Sequence, residues 1–225
     1  MHIKRYSMPK LWPVQKKGKV FVVRPLPGPH SLKRCIPLQI VIQKMLGLAE
    51  TREEARKVLG TKKVMVNKKV RTGLRFPVGF MDIVEITDPK HHYRMDITPA
   101  GFSLEKISPA DSESKLYKVT GKKVLKGGSF QLNLHDGSNI LIGKKAGFHV
   151  GDSILVDFKE GKILKHTKFA KGASAKIIDG RNMGEFGKIK EIRKRKSMLE
   201  KSTVTITTGK GRDVETLDRY VFVGE

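Results

Sequence analysis

The sequence predicts a multi-module α+β chain: a basic N-terminal arm, a small helix-helix-hairpin domain, and two small β-barrel modules behind it. Three observations predict this. Prolines and cations crowd the first 37 residues, apolar residues then recur at helical spacing as far as Gly60, and beyond Gly101 the pattern changes to a period of two. At 225 residues the chain is long enough for several small domains.

The arm occupies residues 1–37, with nine basic residues and no acidic one; the first acid in the chain is Glu50. Pro9, Pro13, Pro25, Pro27, Pro29 and Pro37 stop a helix from propagating, because each removes an amide donor and fixes φ. A targeting helix would be rich in serine, and only Ser7 and Ser31 occur here. The segment therefore reads as an arm that becomes ordered along phosphates, through Lys4, Arg5, Lys10, Lys16, Lys17, Lys19, Arg24, Lys33 and Arg34. Trp12 and His30 are available to stack on a base or to pack, Trp12 as an anchor on the adjacent domain.

Residues 38–102 form the next module. Leu38, Val41, Ile42, Met45 and Leu46 fall at helical spacing and end at Gly47, a suitable cap. Thr51 followed by Glu54 makes a capping box for a second helix, whose buried stripe is Ala55, Val58 and Leu59 before Gly60. Lys62–Val66 reads as a strand, Asn67-Lys68 as its turn and Lys69–Arg71 as the return. Arg52 and Arg56 lie one turn apart with Lys57 beside them, away from the stripe. Together with Lys62, Lys63, Lys68, Lys69 and Arg71, and Arg75 beyond them, they predict a cationic edge able to track a phosphate ribbon.

In residues 103–170, Leu116–Val119, Phe130–His135, Asn139–Ile142, Ser153–Phe158 and Lys162–His166 read as strands, with Asp136-Gly137 and Glu160-Gly161 as turns; the short, regular spacing predicts a small barrel. In residues 171–225, AKIIDGRNMGEFGKIKEI places a glycine-rich turn between two strands. Gly180, Gly184 and Gly187 relieve Cβ crowding where a ligand approaches, and Arg181, Asn182, Lys188 and Lys190 supply donors. A nucleotide-binding GxxxxGK[ST] loop is excluded, because Ile189 stands where the metal-binding hydroxyl is required. Arg193, Lys194, Arg195 and Lys196 form a cationic run suited to phosphates or to a solvated loop. Thr203–Thr208 and Tyr220–Val223 close the module.

Charge narrows the function. Lys and Arg number 46 against 22 acids, a formal charge of +24, and every module is basic, so a polyanion must neutralise the chain from outside. Solubility alone needs only about 2–8 net charges. An anionic membrane surface would want a basic amphipathic helix, and no segment supplies one or approaches a membrane span. A single cysteine excludes a disulfide within the chain and a multi-thiolate zinc site. Cys35 reads as inert, His91-His92 lacks further ligands, and no nucleophile elbow is present. No cofactor, metal site or catalytic residue is expected. Aromatics make up only 7% of the chain, so phosphate and shape contacts to folded RNA, rather than base stacking, are expected to dominate.

The run IQKMLGLAETREEARKVLGTKKVMVNKKVR, Ile42 to Arg71, resembles the small RNA-binding domain of the ribosomal S-four type. With HIKRYSMPKLWPV, RPLPGPHSLKRCIPL and KVRTGLRFPVGFMDIVEI, the resemblance narrows to the archaeal and eukaryotic small-subunit ribosomal family S-four-e, over nearly the whole chain. The glycine-rich turn resembles a KOW motif, although Asp179 stands where the family usually has the first of two glycines. YVFVGE resembles the same point in the family, and the absence of a further extension implies the archaeal type. The resemblance implies a structural, non-enzymatic constituent of the small ribosomal subunit that binds and stabilises rRNA. Its partners would be small-subunit rRNA and neighbouring ribosomal proteins, with no small-molecule substrate and no homo-oligomer, in the cytoplasm on the ribosome. The alternatives are an accessory of an RNA-modifying enzyme and a transcription-associated KOW factor.

Overall fold

The computed structural model describes residues 2–143, 147–195, 197, 199–209 and 211–224. It is mostly β, with few and short helices. Two compact units divide the chain: Met1–Lys115 with Asp157–Glu160, and Leu116–Val156 with Gly161–Glu225. Among the described residues no helix is long and apolar enough to cross a membrane.

The first unit begins with a two-stranded antiparallel ribbon, β1 (His2–Lys4) and β2 (Phe21–Val23), so the arm carries backbone pairing of its own. β3 (Cys35–Pro37) leads into α1 (Leu38–Ile40), which continues at once as a π-helical turn, Val41–Met45. The expected regular helix over 38–48 is thus replaced by a wider one. Leu38–Ile42 are all buried, the first three in the α-helical turn and Val41 and Ile42 in the π-turn, so burial here is a continuous run rather than a single stripe. α2 (Arg52–Gly60) follows the capping box: the Glu54 amide donates to Thr51 Oγ1 at 3.2 Å, and Ala55 and Leu59 are buried.

Next come β4 (Val64–Val66), β5 (Lys69–Val70), β6 (Pro77–Gly79), β7 (Ile83–Ile86), β8 (His91–Thr98) and β9 (Gly101–Lys106). Asn67 and Lys68 both take positive φ, 51° and 62°, the backbone that a two-residue hairpin turn between β4 and β5 demands. β6 pairs with β3, and the others form a sheet in the order β5-β4-β7-β8-β9. At Gly101 a Cβ would stand 2.5 Å from the Leu11 carbonyl, which accepts the Phe102 amide at 2.8 Å; only glycine lets the arm lie this close to β9.

One carboxylate ties these pieces together. Asp82, fully buried, lies 2.7 Å from the equally buried Lys115 Nζ and 2.9 Å from His30 Nε2, and accepts from Asn67 Nδ2 and the Gly79 amide, both at 2.8 Å. Burial alone would raise its pKa, but the Lys115 charge and then His30 and Asn67 outweigh that and hold the carboxyl far below the ordinary range. Asn67 Oδ1 in turn accepts the Ile83 amide at 3.0 Å, fixing the hairpin turn against β7.

The second unit contains two sheets. β10 (Ser114–Val124), β11 (Phe130–Leu134), β12 (Asn139–Ile142), β13 (Ser153–Asp157) and β14 (Ile163–Thr167) assemble in the order β12-β11-β10-β13-β14 over Tyr117, Val119, Leu132, Leu134, Ile154 and Val156; Ser114 and Lys115 of β10 and Asp157 of β13 belong to the first unit. β15 (Ser174–Ile177), β16 (Phe186–Arg193), β17 (Thr203–Thr208), β18 (Asp213–Leu217) and β19 (Val221–Val223) take the order β18-β17-β16-β15-β19 over Ala175, Ile177, Ile189, Val204, Ile206, Val221 and Val223. Strict alternation along β17 puts Val204, Ile206 and Thr208 inside and the threonines between them toward solvent.

Candidate nucleic-acid interface

In the arm, Lys4, Lys10, Lys16, Lys17, Lys19 and Arg24 are exposed. Arg5 is half-buried, its Nη1 donating to the Gln15 and Lys17 carbonyls at 3.0 Å each, so its guanidinium shapes the lysine loop instead of standing free of it. Lys33 and Arg34 are exposed on a 3-10 turn, Leu32–Arg34.

Trp12 and His30 are not at the surface. Trp12 is only 3% exposed and donates Nε1–H to the Cys35 carbonyl at 2.6 Å, which makes it the anchor of the arm. His30 packs its ring over Gly79, where a Cβ would stand 2.5 Å away, and faces Asp82. Both rings serve packing, and neither presents a face to a base. Cys35 beside them is buried; desolvation, and then the charge of Asp82, push its thiol up to about 12, so it stays protonated and unreactive despite Lys33 and Arg34.

On the helical module, Arg52, Arg56, Lys62 and Lys69 are exposed. At 100° per residue Arg56 stands about 100° from Ala55 and Arg52 about 60° in the same sense, so the two arginines line one border of the buried stripe rather than oppose it. Lys63 pairs with Asp88 at 2.7 Å and lowers that carboxyl's pKa. Lys68 is committed inward, to Glu85 at 2.6 Å and to Ser112 Oγ at 3.1 Å. Arg71 lies over the Phe76 ring, 4.4 Å from its centroid, and Arg75 Nε donates to the Arg24 carbonyl at 2.8 Å. The edge that sequence spacing assembles is therefore divided: Arg52, Arg56, Lys57, Lys62 and Lys69 stand exposed, as does Lys63 in its surface pair with Asp88, while Lys68, Arg71 and Arg75 are half-buried against the domain's own residues.

In the glycine-rich turn, Gly180 and Gly184 take φ of 97° and 84°. Asp179 Oδ1 accepts the Gly180 amide at 2.8 Å, and Asp179 itself is not among the residues with positive φ. Arg181 is exposed and Asn182 half-buried. Gly187 answers to packing rather than to a ligand: it is buried, and a Cβ there would collide with the Thr207 carbonyl of β17. Lys188 and Lys190 alternate outward along β16, Lys190 pairing with Asp213, while Arg193 reaches Glu191 at 3.3 Å. Lys194 and Arg195 are exposed, and Lys196 lies outside the described residues. Among the described residues no group of three or more His, Cys, Asp or Glu side chains could hold a metal ion.

Spacing did not reveal Asp82 or Lys115. A signal was present: a lone aspartate inside the apolar run FPVGFMDIV has no route to water and needs a buried counter-charge. Also missed were His2, Tyr6 and Phe21, which the fold leaves exposed on or beside the ribbon.

Three family models match the chain: the RS4NT (NUC023) domain over residues 1–33, the S4 domain over 36–84 and Ribosomal family S4e over 89–163. The chain is 38% identical over 225 residues to the small ribosomal subunit protein eS4 of Methanothermobacter thermautotrophicus, covering 99% of this chain and 91% of the relative. It is 40% identical over 223 residues to eS4 of Methanosphaera stadtmanae, with 99% and 91% covered. Among solved structures it is similar to the 30S ribosomal protein S4e from Thermoplasma acidophilum, with a TM-score of 0.71, 27% identity, and 84% of this chain and 94% of that chain covered.

Proposed function

Because the chain belongs to ribosomal family S4e, we propose that it is a structural constituent of the small ribosomal subunit, binding and stabilising folded rRNA and supporting translation. The role is structural, not enzymatic. The observation that carries the reading is an arm without a single acid, anchored by buried Trp12 so that Lys16, Lys17 and Lys19 stand exposed on a loop braced by Arg5. A polycation of this kind is stabilised by phosphates that displace its counter-ions.

On this reading residues 1–37 are an rRNA-penetrating arm, 38–102 an S-four-type domain, 103–170 a central barrel and 171–225 a barrel whose KOW turn is built on Gly180 and Gly184. Arg52, Arg56, Lys62 and Lys69 contact phosphates on the helical module, and Arg181, Lys188, Lys194, Arg195 and Lys196 do so on the last one. Neighbouring ribosomal proteins complete the partners, the location is the cytoplasmic ribosome, and the chain joins it as a single copy without a cofactor. The test is a titration of the full chain with small-subunit rRNA at several salt concentrations. If about 6–10 phosphates are neutralised, affinity falls about 10³- to 10⁵-fold between 50 and 200 mM salt. A flat response overturns the reading.

A further inference from the structure

The arm carries an aromatic face that the phosphate reading does not use. In the β1–β2 ribbon His2 stands opposite Val23 and Lys4 opposite Phe21, and directly opposed residues of an antiparallel pair share a face. His2, Lys4 and Phe21 therefore project together, while Ile3 and Val22 occupy the other side. The His2 and Phe21 rings meet at 4.2 Å between centroids and tilt 55° to one another, yet Phe21 remains 50% exposed. Tyr6, in the 3-10 turn that continues β1, is 74% exposed, and Val20 beside Phe21 is 66% exposed. Solvent exposure of so much apolar surface in a short ribbon marks it as a contact site.

The surrounding charge says what covers it. Lys4 lies across the strand from Phe21, the Arg5 amide extends the pairing to the Val20 carbonyl at 2.9 Å, and the braced loop sets Lys16, Lys17 and Lys19 at the ribbon's end. No acidic residue occurs before Glu50. The occupant must present a flat apolar face and negative charge within a few ångströms of each other, which is the chemistry of a nucleotide. In a duplex the base faces are already stacked, so the face suits a base that has left the helix.

We infer that the His2–Phe21 face stacks an unpaired nucleotide of RNA while Lys4 and the lysine loop hold its phosphates. This deepens the rRNA reading and rests on it. The test uses the full chain, a single-stranded RNA of about 12 nucleotides and a duplex of the same length, with binding followed by fluorescence anisotropy across a salt series. Phe21→Val keeps strand propensity and the ribbon's backbone pairing, while Phe21→Tyr keeps the ring. Phe21→Val is expected to weaken single-strand binding about 5- to 150-fold, leaving duplex affinity and the salt slope unchanged, with Phe21→Tyr close to the unaltered chain. Three results overturn the inference and leave the rRNA reading standing: single-strand affinity unchanged in Phe21→Val, as for a face that docks a protein; equal loss on both RNAs; or a shallower salt slope, the signature of a lost phosphate contact. An unaltered chain that does not bind the single strand also overturns the inference, while the rRNA reading is decided separately by the titration with small-subunit rRNA.

Discussion

Asp82 and Ile206 are both fully buried, yet they hold their surroundings in different ways. Around Asp82 the first unit gathers a histidine from the arm, an asparagine from a hairpin turn, a backbone amide and a lysine 33 residues downstream, each at hydrogen-bond distance. Around Ile206 the last sheet gathers Ala175, Ile177, Ile189 and valines, with Phe169, Ala173 and Ile192 packed against them. The apolar core tolerates other apolar side chains of matching volume, because dispersion and burial have little directionality. The carboxylate accepts only donors in particular places, so it selects one arrangement of arm, turn and strand at the expense of desolvating two charges.

The comparison is tested most severely by Lys115→Met. Removing the ammonium leaves Asp82 buried without its closest counter-charge, and about 3–5 kcal/mol of stability should be lost from the first unit. Amide exchange in peptides from 64–98 reports it, and iodoacetamide at neutral pH reports it again, because Cys35 reacts only when its surroundings open. Unchanged protection at both would show that the ion pair contributes little.

Ile206→Ala is expected to cost about 2–5 kcal/mol and Ile206→Val about 0.5–1.5, in proportion to the methyl groups removed. Urea denaturation of the full chain, with exchange read at residues 174–208, measures both. A loss from Ile206→Val as large as that from Lys115→Met would erase the distinction between the two regions.

Acid sharpens the contrast further. A carboxyl whose folded pKa lies below its unfolded value stabilises the folded state above about pH 4, and that contribution disappears as pH falls, because the unfolded chain then takes up a proton that the folded one refuses. Asp82 is such a group. So is Asp152 in the second unit: its burial is outweighed by the Phe169 and His149 amides and by His166. The apolar cluster around Ile206 contains none. Below pH 4 protection should therefore fall first near residues 77–86 and 149–154. Lys115→Met should flatten the profile at 77–86 alone, and an unaltered profile there would remove Lys115 as the cause.

The smallest expected effect is at the surface. Thr51→Ala removes the acceptor of the capping box and should lower stability by about 1 kcal/mol, seen as a modest fall in the melting temperature and as fraying of α2. A larger loss would mean that the helix end, and not Asp82, fixes the module's geometry.

What could be read beforehand was the short-range chemistry. Thr51 with Glu54 and Asn67-Lys68 each determine a cap or a turn within four residues, and each stands in the structure as spacing predicts, whereas Asp136-Gly137 sits in a three-residue loop, 135–137, with positive φ at Gly137 alone, not in the expected two-residue turn. β7 escaped because it is buried on both faces and shows no alternation, and β8 because HHYRMDIT looks polar while its methionine and isoleucine point inward. Of the binding candidates, exposed lysines of the arm were legible from charge alone. The burial of Trp12 and His30, and the inward commitment of Lys68, depend on partners 23, 52 and 17 residues away, which no local pattern encodes.

The separation between Asp82 and Lys115 also has a consequence in time. A growing polypeptide delivers the aspartate first, and among the described residues it has His30 and Asn67 as side-chain hydrogen-bond partners before Lys115, 33 residues further on, is added. Final consolidation of the early half thus waits upon translation of the strand that opens the later half.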